Sequence, residues 1–152
     1  MVEYGIFIIV YILGDLMLTQ EKLLKMPEKD YMNEAQLQFF RALLKEQKDE
    51  LSISVAEAKQ NLSQTEHNID LNDVATQQEM QQIYLRTVER QSKLISKINK
   101  TIILIDKQEY GYCEISGEPI GLKRLLARPT ATMSVSAKEI QEHQERTGGI
   151  IR

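Results

Sequence analysis

Trp, Cys and Pro, which often stabilise small domains, are scarce in this sequence. The chain has no Trp, one Cys and three Pro among its 152 residues. Because the lone Cys113 cannot form an internal disulfide, a reducing compartment is favoured and we expect a cytoplasmic protein. The formal net charge of −3 lacks the basic excess that nucleic acid binding requires. We therefore expect no direct sequence-specific binding to nucleic acid.

Long apolar runs are also scarce, and the longest uninterrupted one spans only residues 6–13. With Asp15 close behind, this run falls short of the roughly 20 residues that a membrane span needs. A secretory signal would have a basic start and a small-residue cleavage site, and this segment has neither. A membrane anchor is therefore disfavoured. Residues 1–16 are either a packed or disordered extension or precede a true translation start at Met17, and both alternatives stay open.

Gly and Pro are absent between Asn33 and Tyr110, which indicates long uninterrupted helices. Within this stretch, apolar residues recur at mixed steps of three and four, close to the period that keeps a narrow seam facing a partner helix. The first series is Leu37, Phe40, Leu44, Leu51, Val55, Ala58, Leu62 and Ile69, and the second is Met80, Tyr84, Val88, Ile95, Ile98, Ile102 and Ile105. The pattern predicts two helices that form a coiled coil.

A turn is predicted between the two series. Residues 67–73 are rich in Asn and Asp, which favour turns and helix caps over helix interiors. They predict a tip at about residues 69–75, so that the helices run antiparallel as a hairpin over residues 33–110. At about 1.5 Å per residue, each arm of about 35 residues would reach roughly 50 Å. Asn33 is a good N-cap with Gln36 as its capping-box partner, and the second helix is predicted to begin at Asn72 or Asp73 and to end near Gln108.

Two smaller segments flank the hairpin. Residues 1–32 are predicted to form an N-terminal extension with a short helix that ends near Pro27. Residues 111–152 are punctuated by Gly and Pro, which predicts a small base of turns and short strands with a helical turn at 122–126. Ser136 and Glu139 form a capping box that opens a last helix through about Arg146. The predicted fold is mainly α: a long antiparallel coiled-coil hairpin on a small globular base with a C-terminal helix.

The sequence carries no recognisable catalytic set, so we expect a protein that is not an enzyme. Gly-x-Ser-x-Gly, Walker and His-Glu-x-x-His motifs are all absent, and the two histidines lie on different predicted elements. Asp70 and Asp73 stand out because they lie at the predicted tip. They either cap the second helix, which their spacing alone favours, or are carboxylates delivered to a distant site where they perturb a metal ion or a mobile loop.

Three stretches resemble the DksA/TraR family of bacterial RNA polymerase regulators. They are residues 31–37 (YMNEAQL), the tip pattern Asp70-x-x-Asp73-x-Ala75, and residues 110–139 (YGYCEISGEPIGLKRLLARPTATMSVSAKE). The resemblance runs from about Pro27 to Arg146. It implies a monomeric regulator whose hairpin enters the polymerase secondary channel, with Asp70, Asp73 and Ala75 acting near the active site on promoter complexes.

The resemblance also implies a response to the alarmone ppGpp in the stringent response. Family positions that contact ppGpp at the joint with the polymerase correspond to Leu94, Lys97, Arg128 and Lys138. Without the family, the three cations among them would be ordinary solvated charges.

The sequence departs from the family at its zinc site. Members hold the base together with four cysteines, and the corresponding positions here are Cys113, Ser116, Ser134 and Ala137. A structural zinc site needs four protein ligands that leave no open coordination position. We therefore expect no zinc and no other intrinsic cofactor. The base is then predicted to be held by packing of Ile115, Ile120, Leu122, Leu125, Leu126 and Val135, with Cys113 as a small core residue.

Two other functions fit part of the pattern. A Gre-type factor also presents an acidic hairpin tip to the polymerase, but it stimulates transcript cleavage. A structural or membrane-tethered coiled-coil adaptor would account for the apolar N-terminus. Which promoters respond, in which direction, and whether the ppGpp response is retained are not set by the sequence.

Overall fold

The computed structural model describes residues 18–67 and 74–148, which are mainly helical. The helices are α1 (Gln20–Leu24), α2 (Glu34–His67), α3 (Val74–Asp106), α4 (Leu122–Ala127) and α5 (Val135–Gly148), with a 3₁₀ turn at Glu28–Asp30. Within these described ranges the only β feature is an isolated antiparallel bridge between Tyr112 and Pro119. The predicted mainly α fold is confirmed, while the short strands predicted for the base are replaced by turns and this single bridge. No helix in the described part of the chain is both long and apolar enough to cross a membrane.

The start of α2 follows the predicted cap with one shift. Asn33 Oδ1 accepts a hydrogen bond from the Gln36 amide at 2.9 Å, which confirms Asn33 as the N-cap. Gln36 Oε1 accepts from the amide of Met32 at 2.8 Å, one residue before the position expected in a capping box. Met32 adopts a φ of 56°, and Gln36 is fully buried. The polar side chain of Gln36 is therefore part of the core at the root of the helix.

Residues Ala42–Leu104 form one compact unit, built from the long arms of α2 and α3. Gln91 Nε2 of α3 donates to Ser54 Oγ of α2 at 2.9 Å, which fixes the pairing of the two arms. Described members of both predicted seams in this unit are buried or half-buried, with Met80 as the exception at 47% exposed. The two-helix coiled coil predicted from the apolar period is thus confirmed.

Among the described residues, the second unit comprises 18–41 and 105–148. Helix α1 packs against α4, and each contributes a fully buried leucine, Leu23 and Leu125. The rings of Phe40 and Tyr110 lie 5.4 Å apart, and the Tyr110 hydroxyl donates to the Pro129 carbonyl at 2.9 Å. The short N-terminal helix is therefore part of the base core.

The predicted core of the base is only partly correct. Ile120 and Leu125 are buried, and Leu122 and Leu126 are half-buried. Ile115 and Val135, by contrast, are 65% and 51% exposed. The interior is filled instead by side chains from other parts of the chain, namely Leu23, Phe40 and Tyr110.

Two helix ends differ from their predictions. The last helix begins at Val135, capped by Ser134, whose Oγ accepts from the Ala137 amide at 3.3 Å. The predicted cap, Ser136, instead lies inside the first turn with its hydroxyl 3.1 Å from that of Ser134. Helix α3 ends at Asp106, slightly before the predicted Gln108, since Gln108 has a left-handed φ of 61° that cannot continue a helix.

Candidate functional site

The predicted tip falls largely outside the described residues. Asp70 and Asp73 are among the residues that are not described. Ala75 is the second residue of α3, and its side chain is also outside the described set. Whether the two carboxylates cap α3 or reach a distant partner therefore stays open.

Two of the predicted ppGpp-binding residues share one surface on α3. Leu94 and Lys97 line an open cavity of about 490 Å³ together with Arg86, Glu89, Arg90 and Lys93. All six side chains are exposed. Within the cavity wall, Lys93 Nζ lies 2.6 Å from Glu89 Oε1, and this contact lowers the pKa of the Glu89 carboxyl. The wall is thus an anion-attracting surface with one internal ion pair.

The other two predicted ppGpp-binding residues lie in the base unit. Arg128 directly follows α4, with its amide bonded to the Arg124 carbonyl at 2.8 Å, and its side chain is exposed. Lys138 lies in the first turns of α5 and is half-buried. Its Nζ donates to Gln141 Oε1 at 3.1 Å and lies 3.9 Å from Glu142 Oε1. Lys138 therefore already has local partners, whereas Arg128 has no ion pair within the described ranges.

The four positions that correspond to zinc ligands lie in two linked turns. The Cys113 amide donates to the Glu118 carbonyl and the Gly117 amide to the Cys113 carbonyl, both at 2.8 Å. The Glu114 amide donates to the Thr132 carbonyl at 2.9 Å, which ties the first turn to the segment before α5. Cys113, Ser134 and Ala137 are buried, and Ser116 is exposed.

The side chains at these positions do not fit a zinc ion. Only Cys113 offers a thiolate, and the Ser134 hydroxyl is engaged with the Ala137 amide. No group of three or more His, Cys, Asp or Glu that could hold a metal occurs in the described ranges. The Ser116 hydroxyl, and then the amides of Ser116 and Ser134, favour the thiolate and lower the pKa of Cys113 to about 6. Polar groups thus surround the sulfur where the family has a metal.

Tyr31 anchors the segment before α2 to the base. The sequence analysis did not predict a separate role for this residue. Its hydroxyl donates to the Gly111 carbonyl at 2.7 Å and accepts from the Gly121 amide at 3.1 Å. Its ring meets that of Tyr112 edge to face, with centroids 5.6 Å apart. Burial raises the pKa of Tyr31. The only sequence signal was its place in the stretch YMNEAQL before the first long helix.

Comparison with known families gives two adjacent matches. The family described as "DnaK suppressor protein DksA, N-terminal domain" matches residues 36–105. The family described as "Prokaryotic dksA/traR C4-type zinc finger" matches residues 108–143. The matches divide close to the end of α3 and confirm the resemblance predicted from the motifs.

Individual proteins and solved structures agree with these matches. RNA polymerase-binding transcription factor DksA of Caulobacter vibrioides (strain NA1000 / CB15N) is 45% identical over 120 residues, which are 78% of this chain and 84% of that protein. The factor of the same name in Escherichia coli (strain K12) is 38% identical over 121 residues, 79% of this chain and 80% of that protein. The structure of transcription factor DksA2 from Pseudomonas aeruginosa has a TM-score of 0.79 at 43% identity, covering 84% of this chain and 99% of that one.

Proposed function

The chain belongs to the DksA/TraR family, and we propose that it regulates transcription by binding RNA polymerase and inserting its coiled-coil tip into the secondary channel. The observation that carries this proposal is the identity of 45% with an RNA polymerase-binding transcription factor over 120 residues. The two family matches, at residues 36–105 and 108–143, lie in the hairpin and in the base. The TM-score of 0.79 with DksA2 supports a shared fold.

In this proposal the protein acts by binding and has no catalysis of its own. Its relatives are transcription factors, and the sequence holds no catalytic motif. It works as a monomer in the cytoplasm, where its polymerase partner is found. The three segments, residues 1–32, 33–110 and 111–152, serve as extension, hairpin and base.

Asp70 and Asp73 are proposed to act on the polymerase, with Ala75 beside them. Two carboxylates on a tip would place negative charge near the active site and destabilise sensitive promoter complexes. ppGpp is the proposed effector, bound by Leu94, Lys97, Arg128 and Lys138 together with the polymerase. The base is proposed to work without zinc, which the poor donor set at Cys113, Ser116, Ser134 and Ala137 supports.

Copurification with core RNA polymerase tests the proposed function. The parent chain should form a complex and inhibit a sensitive promoter. Asp70→Asn with Asp73→Asn should still form the complex, because Asn caps helices about as well as Asp, while inhibition is lost. A parent chain that does not bind core polymerase would overturn the proposal, and full inhibition by the double variant would limit the two carboxylates to helix capping. A nascent-RNA cleavage assay separates this function from that of a Gre-type factor.

A further inference from the structure

A buried amide and a methionine sulfur meet at the root of the first long helix. Gln36, the third residue of α2, is fully buried. Its Oε1 is already engaged, because it accepts a hydrogen bond from the Met32 amide at 2.8 Å. Its Nε2 donates to the sulfur of Met26 at 3.5 Å. The amide nitrogen of a fully buried side chain therefore has a thioether as its acceptor.

A thioether is a poor acceptor for such a donor. Methionine sulfur accepts hydrogen bonds only weakly, and a buried donor without a good partner destabilises the folded state. Oxidation converts the thioether into a polar, chiral sulfoxide, whose oxygen can accept the bond. Oxidation of Met26 would therefore give the Gln36 side chain a stronger acceptor than the sulfur.

Met26 lies where an oxidant can reach its sulfur while its backbone is held in place. It comes directly after Lys25, the C-cap of α1, and its amide donates to the Leu23 carbonyl at 3.3 Å. Met26 is half-buried, and its neighbours Lys25 and Pro27 are exposed. A small oxidant can thus approach from solvent, and the unbranched side chain can adjust to an added oxygen.

The other described methionines do not offer this arrangement. Among the methionines that the structure describes, only Met26 has a sulfur that accepts a hydrogen bond. Met80 of α3 is 47% exposed, so its sulfoxide would be solvated by water. The Met32 side chain lies 2.7–2.8 Å from the position that a Cβ would take at Gly111, which leaves little room for an added oxygen.

We propose that Met26 is a reversible methionine-oxidation site whose sulfoxide oxygen is bound by the Gln36 side-chain amide. In the forward step, a sulfur lone pair attacks one oxygen of hydrogen peroxide. The O–O bond breaks as the S–O bond forms, and the second oxygen leaves as water after a proton transfer. The sulfur is oxidised by two electrons, and the peroxide is reduced by the same two. Methionine sulfoxide reductases reverse the step, with two thiols as reductant and water as product.

The expected consequence is the opposite of ordinary methionine damage. Sulfoxides usually disrupt cores because they bring a polar group into apolar surroundings, whereas here the new oxygen meets a buried donor. The oxidised side chain would join the end of α1, whose Leu23 is fully buried, more strongly to the root of α2. Oxidation of Met26 should therefore stabilise the base. The site is additional to the proposed function and does not depend on polymerase binding.

Matched oxidation of two chains tests the proposal. The parent and Met26→Leu, a substitution that roughly conserves volume, are treated with the same dose of hydrogen peroxide. Peptide mass spectrometry quantifies the sulfoxide at each methionine. Because both chains share oxidation at the other methionines, the difference between their shifts in melting temperature reports on Met26. The shift of the parent should be more positive by at least about 2 °C, and this gain should disappear when Gln36→Leu is added to both chains.

Two further measurements do not depend on the folding of the Gln36 variant. Met26→Gln supplies an amide oxygen as acceptor without any oxidant, so it should melt at a higher temperature than Met26→Leu. A sulfoxide bound by one amide should also form mainly as one epimer. Methionine sulfoxide reductases A and B each reduce a different epimer. One of the two enzymes should therefore reduce most of the sulfoxide at Met26, while both are needed at the exposed Met80.

Three outcomes would overturn the proposal. In the first, Met26 stays reduced in the folded chain at a dose that oxidises it in urea, so that the fold protects the sulfur. In the second, the shift in melting temperature of the oxidised parent is no more positive than that of Met26→Leu, or the gain persists with Gln36→Leu. In the third, both epimers form equally at Met26 and Met26→Gln melts no higher than Met26→Leu, so that Gln36 does not bind the oxygen.

Discussion

The hydroxyl of Tyr31 donates a hydrogen bond to the carbonyl oxygen of Gly111, 80 positions further along the chain, at 2.7 Å. The same hydroxyl oxygen accepts from the Gly121 amide at 3.1 Å. Gly111 has a φ of +94° and lies against the side chain of Met32, next to Tyr31. The segment before α2 is thereby joined to Gly111 and Gly121, two of the three base glycines that have a positive φ.

Replacing Tyr31 with Phe should destabilise the base. The Gly111 carbonyl keeps its bond from the Ile120 amide, but the Gly121 amide loses its partner. The cost should be about 1–2 kcal/mol, which lowers the melting temperature by about 2–8 °C. Tyr112→Phe is the matched control because the Tyr112 side chain is 40% exposed. Equal melting temperatures of the two variants would contradict a structural role for the Tyr31 hydroxyl.

The polar pair in the coiled coil should be replaceable by apolar residues at a gain in stability. Gln91 Nε2 bonds to Ser54 Oγ, but Gln91 Oε1 is buried and has no partner among the described residues. A buried acceptor without a partner costs about 1–3 kcal/mol. Gln91→Leu combined with Ser54→Ala should therefore raise the free energy of unfolding, measured by urea denaturation, by about 1 kcal/mol.

Ser54→Ala alone provides the control for that prediction. It removes the partner of Gln91 Nε2 while the amide stays in place, so it should lower the free energy of unfolding. If both variants shift stability in the same direction, the pair does not act as a coupled unit.

Local patterns were enough to predict the hairpin arms. The apolar period depends on neighbours three and four residues away, so Leu44, Ala58 and Ile98 could be assigned to the seam before the partner helix was known.

The base could not be predicted in the same way, because its contacts join distant segments. Leu23 and Tyr31 reach partners far along the chain, and nothing in their local sequence marks them as core or anchor residues. Ser134 and Ser136 are equivalent as caps by residue type, and only the path of the preceding turn selects Ser134. The exposure of Ile115 follows from that tertiary arrangement too.

Removal of metal should leave the protein folded. Zinc is worth about 10–16 kcal/mol in zinc-finger peptides, so a zinc-dependent base would unfold with a chelator. We expect an unchanged melting curve in EDTA, and elemental analysis should find far less than one zinc per chain. Stoichiometric zinc in the purified protein would overturn the assignment of a metal-independent base.

The stability of the base should depend on pH through Cys113. Its thiol has a pKa of about 6 in the folded chain against an ordinary value of 9.0, because Ser116 and nearby amides favour the thiolate. A lowered pKa adds stability that is fully present above pH 9.0 and is lost as the pH falls through about 6. The difference in free energy of unfolding between parent and Cys113→Ala should therefore grow as the pH rises from 6 to 9. A difference that stays constant over this range would contradict a stabilised thiolate.

The response to ppGpp should depend more on Lys97 and Arg128 than on Lys138. Exposed cations are solvated and screened, so the free protein should bind ppGpp poorly and the effect should appear only with polymerase present. Lys97 and Arg128 have no ion pair within the described ranges, whereas Lys138 already contacts Gln141 and Glu142. A phosphate group of ppGpp must compete with these two partners for Lys138. The contact with Lys138 should therefore add less to the affinity for ppGpp than the contacts with Lys97 and Arg128.

Promoter inhibition assays with and without ppGpp measure this difference. Lys97→Ala and Arg128→Ala should each abolish the enhancement by ppGpp while inhibition without ppGpp persists, and Lys138→Ala should reduce it only partly. Lys100→Ala is the control, since it removes an exposed cation of α3 that does not line the cavity. Arg can grip a phosphate with two parallel hydrogen bonds and Lys only as a point charge, so Arg128→Lys should restore part of the response. Enhancement by ppGpp that survives in both Lys97→Ala and Arg128→Ala would show that the effector binds elsewhere on the complex.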